Sequence, residues 1–246
     1  MNVTPALPPH LRAEILGLDD KSGLPAVLYT DASGGAAHGL VLLCHGGSQH
    51  KFDPGVIALA SMLVGDHRMA VAVLDGPIHG ARRETKTVSR PAMQAEFLAF
   101  WNTAPAIDAV VADWRRLLDQ LQSTPAFAGL RAGWLGLSMG TAYGVPLLAA
   151  EPRLCAAVLG MWGLDAAHGA RLRADAARIG CPVLFQQKSE DAFFSQDGQR
   201  SLFDAVGAED RQLNLYPGGH DQPAGAQLRD LGRFLADHLS DGAHAG

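Results

Sequence analysis

Ser138 lies in the pentad Gly136-Leu-Ser-Met-Gly140, after a strand-like run ending at Leu135 and before a helix-like run over 141–150. A G-x-S-x-G sequence at such a junction sets its serine on a turn so sharp that side chains two residues before and after would collide. Both of those places carry glycine. The serine is then held in a strained conformation with its hydroxyl projecting from the sheet edge. A serine hydroxyl is a weak nucleophile at neutral pH and needs a base, normally histidine, which needs an orienting acid. The chemistry to look for is acyl transfer, with the chain order serine, acid, histidine.

His220, in Tyr216-Pro-Gly-Gly-His-Asp221, follows the last strand-like run, and two glycines let its loop turn towards the serine. His238 falls on a C-terminal helix and His244 in the tail, so neither suits a base. Asp191, in Lys188-Ser-Glu-Asp-Ala192, follows the preceding strand and is the candidate acid. Glu190 could replace it only by a one-residue shift in register; Asp165, after the strand before that, is a second candidate.

Acyl transfer also needs donors for the developing oxyanion. The backbone N–H of Met139, next after the nucleophile, is one. The other is expected from Cys44-His-Gly-Gly-Ser48, where Gly47 leaves the backbone unobstructed and Ser48 is the neighbouring alternative. His45 reads as a residue that holds this loop, not as a second base. His79, in Asp75-Gly-Pro-Ile-His-Gly80, could meet substrate but reads more readily as support for the rim. Arg82 and Arg83 could grip a substrate carboxylate in a bidentate manner, though solvated loop arginines are the simpler reading. Trp101, Met161, Trp162, Phe193 and Phe194 fall near sheet-edge loops and are candidates to line an apolar substrate pocket.

These groups need elements to carry them. Short apolar runs predict strands at about 12–18, 25–30, 39–44, 69–74, 131–137, 154–160, 182–187 and 211–216. Helices fit at about 54–66, 105–122, 139–150, 199–206 and 223–239. The first two strands could form a hairpin through Asp19-Asp-Lys-Ser-Gly23. From residue 39 strands and helices alternate, which argues for a mostly parallel sheet with helices on both faces. Residues 76–103 show no clear period, and 161–179 continue from Met-Trp-Gly-Leu into an Ala/Arg-rich helical stretch. Both follow strand ends where open α/β sheets bind ligands, and both read as small lid segments.

The 246 residues, 48% hydrophobic and 18% charged, fit a single globular α/β domain. A formal charge of −5 without a basic run gives no ground for nucleic-acid binding. No apolar run is long enough to span a membrane. The N-terminus lacks a signal-peptide pattern, so a cytoplasmic protein is expected. Cys44, Cys155 and Cys181 fall in or beside predicted strands without metal-type spacing and read as free, packed thiols. The expected partner is a small-molecule ester, with no metal or organic cofactor; a homodimer is left open.

The ordered set His45-Gly-Gly47, Asp75-Gly-Pro-Ile-His-Gly80, Gly136–Gly140, Asp191 and Gly219-His220 spans nearly the whole catalytic region. In this set the chain resembles the α/β-hydrolases, and among them it is similar to dienelactone hydrolase-like and prolyl-oligopeptidase-related serine esterases. The resemblance implies an eight-stranded, mostly parallel sheet and a Ser138–His220–Asp191 triad. It also implies a serine hydrolase of the carboxylesterase type. Amide, thioester or C–C bond cleavage and acyl transfer to another acceptor use the same machinery, and a non-catalytic binding protein would normally have lost a triad member. One departure is the serine at the elbow, where dienelactone hydrolases proper carry cysteine; it argues against dienelactone as substrate.

Overall fold

The computed structural model describes residues 5–17, 25–83 and 89–240. Eight strands form one sheet: β1 Leu11–Gly17, β2 Pro25–Asp31, β3 Gly39–Cys44, β4 Met69–Leu74, β5 Ala132–Gly136, β6 Leu154–Gly160, β7 Val183–Lys188 and β8 Arg211–Tyr216. Seven α-helices accompany them among the described residues: α1 Pro54–His67, α2 Arg90–Thr103, α3 Ile107–Ser123, α4 Met139–Ala150, α5 Gly169–Ala176, α6 Gln196–Ala205 and α7 Gly225–Leu239.

The sheet order is β1-β2-β4-β3-β5-β6-β7-β8. β2 pairs antiparallel with β1 and β4, and every later pairing is parallel. The hairpin partners are therefore as expected, while the turn at 19–23 lies outside the described residues, as does the tail beyond Ser240. β3 (GLVLLC) and β4 (MAVAVL) are buried at every residue, as parallel strands covered on both faces should be. One face buries Leu40, Leu42, Trp134 and Leu159 together with Trp114 and Leu118 of α3 and Val145 of α4. The other buries Val41, Leu43, Val71, Leu135 and Val158 against α1 and α7.

The chain runs from β3 outward to β4 and then crosses back to place β5 on the other side of β3. The carboxyl ends of β3 and β5 thus flank the point where the winding reverses, where open α/β sheets leave a crevice. The loops at these two ends are His45–Ser48 and Leu137–Ser138.

The segments read as lids contain ordinary secondary structure. Within 76–103 there is a 3-10 turn at Gly80–Arg82 and then α2; within 161–179 there is α5. α2 starts at Ser89, whose hydroxyl accepts from the Ala92 N–H, with Pro91 in its first turn. α6 begins three residues earlier than its apolar pattern implies, because the Ser195 hydroxyl caps it by accepting from the Gly198 N–H at 2.9 Å. The three cysteines are free. No helix among the described residues is long and apolar enough to cross a membrane.

Candidate active site

The backbone at Ser138 has φ 56° and ψ −119°, a strained conformation for a residue with a side chain. The flanking glycines are needed for a reason the structure makes explicit. A Cβ on Gly136 would lie 2.6 Å from Gly140 O, and one on Gly140 would lie 2.9 Å from Cys44 O. The elbow is pinned to its neighbours. The Ser138 N–H donates to Gly160 O at 3.0 Å, and Thr141 Oγ1 accepts from the Gly160 N–H at 2.7 Å. The Trp134 indole N–H donates to Gly140 O at 3.1 Å from the strand below.

Ser138 Oγ lies 2.8 Å from His220 Nε2, and His220 Nδ1 lies 2.9 Å from Asp191 Oδ2. With Asp191 ionised, the Nδ1–H donates to it, which leaves Nε2 as acceptor for the serine hydroxyl. Asp191 Oδ1 accepts the Phe193 and Phe194 N–H groups at 2.9 and 3.1 Å. Burial disfavours the Asp191 carboxylate, but its bonds to His220 and to those two N–H groups outweigh burial and hold its carboxyl below the usual range. Asp165 is engaged elsewhere. Its Oδ2 accepts from the Ser195 hydroxyl at 2.7 Å and so supports the cap of α6. Glu190 meets the histidine loop through its backbone, its N–H donating to Gly218 O at 3.0 Å.

The loop after β3 is fixed on every side but one. The Gly46 N–H donates to Gln49 Oε1 at 2.9 Å, and Gln49 Nε2 donates to Asp53, the cap of α1, at 3.0 Å. His79 Nε2 lies 3.0 Å from Gly47 O. The Gly47 and Met139 N–H groups donate to no protein oxygen among the described residues. Gly47 tolerates no side chain, because a Cβ there would lie 2.5 Å from Phe97 Cδ1.

His45 and His79 are both buried. His45 Nε2 accepts the Gly76 N–H at 3.0 Å, so its proton sits on Nδ1 and points at Gly46 O, 2.9 Å away. Burial pushes the His45 pKa down to about 3 and lowers that of His79 too, so both rings are neutral at pH 7. They join the loops after β3 and β4, and neither reaches Ser138. Beneath them lies an ion pair that the sequence reading missed. Lys51 Nζ meets Asp75 Oδ2 at 2.5 Å, with both side chains fully enclosed. Asp75 also accepts the Lys51 and Ala81 N–H groups, each at 2.9 Å. Burial raises the Asp75 carboxyl, yet the Lys51 ammonium and the hydrogen bonds that Lys51 donates bring it below the usual range.

A cleft of about 80 Å³ opens over the serine. Gly46, Gly47, Ser48, Gln94, Leu137, Met161 and His220 belong to its wall. Of the five candidate pocket residues, Met161 is there. Phe193, 52% exposed, and Phe194, nearly buried, pack on the His220 ring with centroids 5.0 and 5.6 Å away. Trp101 and Trp162 correct the expectation: both are fully buried behind the cleft, where they pack on each other at 5.2 Å. Large aromatic side chains gain most from burial, and Trp101 also satisfies its indole N–H on Ala167 O at 3.0 Å. Arg82 and Arg83 are not free solvated groups but pair with Asp113 at 2.8 Å and Glu96 at 2.5 Å, away from the cleft wall. Among the described residues no cluster of His, Cys, Asp and Glu could hold a metal ion.

No protein-family model matches the chain, and no curated protein sequence does. Solved structures are similar over nearly all of it. A cold-adapted esterase from an Arctic intertidal metagenomic library, in its polyethylene-glycol-bound form, is 29% identical, with 94% of each chain covered and a TM-score of 0.79. The native form of a cold-adapted esterase from such a library gives 26% identity, 94% and 95% coverage and a TM-score of 0.76. A dienelactone hydrolase from Anabaena variabilis, 14% identical, covers 94% of this chain and 99% of its own with a TM-score of 0.66.

Proposed function

We propose that this member of the α/β-hydrolase superfamily is a serine hydrolase that cleaves small carboxylic esters through an acyl-enzyme. The observation that carries the reading is the continuous line Asp191–His220–Ser138, with bonds of 2.9 and 2.8 Å, ending on a strained elbow. The likeness to an esterase supports the ester as the bond cleaved.

In this mechanism His220 takes the proton of Ser138 as Oγ attacks the ester carbonyl. Asp191 keeps the imidazole in the right tautomer and stabilises the imidazolium that forms. The negative charge on the carbonyl oxygen is met by the Gly47 and Met139 N–H groups, a role supported by their donating to no protein oxygen among the described residues. His220 then passes its proton to the departing alkoxide. In the second half His220 activates water, and the tetrahedral intermediate collapses to free acid and Ser138. No metal or organic cofactor enters these steps. The cleft is small beside the 300–1,000 Å³ or so typical of ligand pockets, which favours a short acyl group.

The test is fluorophosphonate labelling and p-nitrophenyl acetate turnover with wild type and Ser138→Ala. Wild type should label at Ser138 and show a burst, and the variant should do neither, with turnover down roughly 10⁴-fold or more. A folded variant that keeps a tenth of wild-type kcat sinks the reading.

A further inference from the structure

The last residue of β7 is a lysine whose side chain is only 6% exposed. A lysine at a strand end ordinarily extends its ammonium into water, because burial costs heavily unless partners replace the lost hydration. The Lys188 ammonium turns instead under the loop that carries His220. Its Nζ lies 2.7 Å from Asp221 Oδ1 and donates to Pro217 O at 3.4 Å. Asp221 directly follows His220, and Pro217 comes before it. One charge therefore holds the loop on both sides of the proposed base.

The loop has reason to need holding. It contains Gly218, with φ 105°, and Gly219, the residue type that restrains a backbone least. Ahead of His220 its backbone is tied to the acid's loop, Gly218 O accepting the Glu190 N–H at 3.0 Å. Just after His220 the Asp221 N–H turns back on Gly219 O at 2.9 Å, a bond within the loop itself. The Nδ1 bond to Asp191 sets the rotation of the imidazole but not where the loop carries its backbone. Lys188 ties that backbone to β7, the same strand that leads into Asp191. Asp221 is 64% exposed, so water screens the ion pair and its worth to global stability is small. Placement is another matter, because a shift of about 1 Å in a catalytic group can cost 10²-fold in rate.

We infer that Lys188 is a positioning residue. Its ammonium, bonded to Asp221 and Pro217, clamps the glycine loop so that His220 Nε2 stays within reach of Ser138 Oγ. This inference rests on the serine-hydrolase reading above. Lys188 acts through His220 and does not touch the substrate, so its loss should slow the proton transfer to His220 and leave substrate binding as it was.

The experiment follows the p-nitrophenol burst from p-nitrophenyl acetate by stopped flow. Wild type, Lys188→Met, Asp221→Ala and the double variant are compared, each checked for wild-type circular dichroism. The acylation rate constant should fall about tenfold or more in Lys188→Met, with the dissociation constant of the Michaelis complex within about twofold of wild type. Asp221→Ala should fall by less, since the ammonium keeps Pro217 O. The double variant should be no slower than Lys188→Met, because both changes release one clamp. In proton NMR the downfield resonance of the His220 Nδ1–H should broaden in Lys188→Met. Wild-type acylation with only a lowered melting temperature makes the pair structural and overturns the inference. A weaker Michaelis complex with unchanged acylation overturns it too, as do losses that add in the double variant. Neither a burst nor fluorophosphonate labelling in wild type fails the hydrolase reading itself, a result distinct from a labelled enzyme indifferent to Lys188. Should Lys188→Met fail to fold, Asp221→Ala alone must slow acylation, and wild-type acylation in that variant overturns the inference.

Discussion

Replacing Lys51 by methionine tests the ion pair that underlies the loop after β3. The Lys51 and Asp75 side chains are 2% and 0% exposed and meet at 2.5 Å. Methionine fills most of the lysine volume, so the loss is electrostatic. The Asp75 carboxylate stays buried with only the Lys51 and Ala81 N–H groups to answer its charge. Breaking a buried pair from one side costs about 3–5 kcal/mol. Unfolding 246 residues carries an entropy near 0.5 kcal/mol/K, so the melting temperature should fall by about 6–10 °C at pH 7. Lys51→Met with Asp75→Asn should cost less than the two single changes summed, because the second change removes the charge that the first strands. The wild-type advantage should also fade in acid. The folded Asp75 carboxyl titrates below its unfolded value of about 3.9, so its contribution is present above that pH and is lost as pH falls through the folded value. Calorimetry at pH 7 measures the first effect and calorimetry well below about pH 3.9 the second. A drop under 2 °C at pH 7, or additive costs in the double variant, refutes the reasoning.

Asp191→Asn should lower kcat by several orders of magnitude, because the amide cannot hold the His220 tautomer. Asp165→Asn should instead cost about 1 kcal/mol of stability through the Ser195 cap, with kcat/KM changed far less; steady-state kinetics and melts on both variants decide. Gly47→Ala should reduce kcat at least about tenfold, since its Cβ must displace Phe97 and with it the proposed oxyanion donor; wild-type kcat for p-nitrophenyl acetate in the variant would show that the loop gives way freely. Stability should fall as pH drops below about 6.5, the unfolded histidine value, because His45 stays neutral in the fold until about pH 3 and the unfolded chain binds its proton first. Denaturant midpoints at pH 7, 6 and 5 measure this, and a flat profile would mean that neither His45 nor His79 is forced to stay neutral.

Where local pattern dictated structure, the sequence was readable. All eight strands stand within a residue or two of the runs that announced them, because strands buried on both faces are short apolar segments with little else to be. Order along the chain suffices to single out Ser138, Asp191 and His220 as candidates, since each follows a strand that ends at the same sheet edge, and the structure brings the three within hydrogen-bond distance. α2 was missed because it buries only Phe97 and Trp101 and so shows no period. The Lys51–Asp75 pair was missed for a different reason. A charged residue in a loop is nearly always solvated, and nothing local to residue 51 signals a partner 24 residues away. Trp101 and Trp162 were placed at the right edge of the sheet but on the wrong side of its wall; adjacency in sequence to Met161, which does face the cleft, cannot tell in from out at an irregular strand end.

His220 follows β8, the strand at one end of the sheet. Among the described residues β8 has one neighbour, β7, and buries only Tyr216, where β7 is buried throughout. Ser138, by contrast, rises from the middle of the sheet, between β3 and β6. The proposed nucleophile and its base therefore belong to regions of unequal resistance to opening. Heat or mild denaturant should peel the β8 margin and carry the imidazole off while the elbow stays folded. Activity would then vanish ahead of the global transition, and on cooling it would return last.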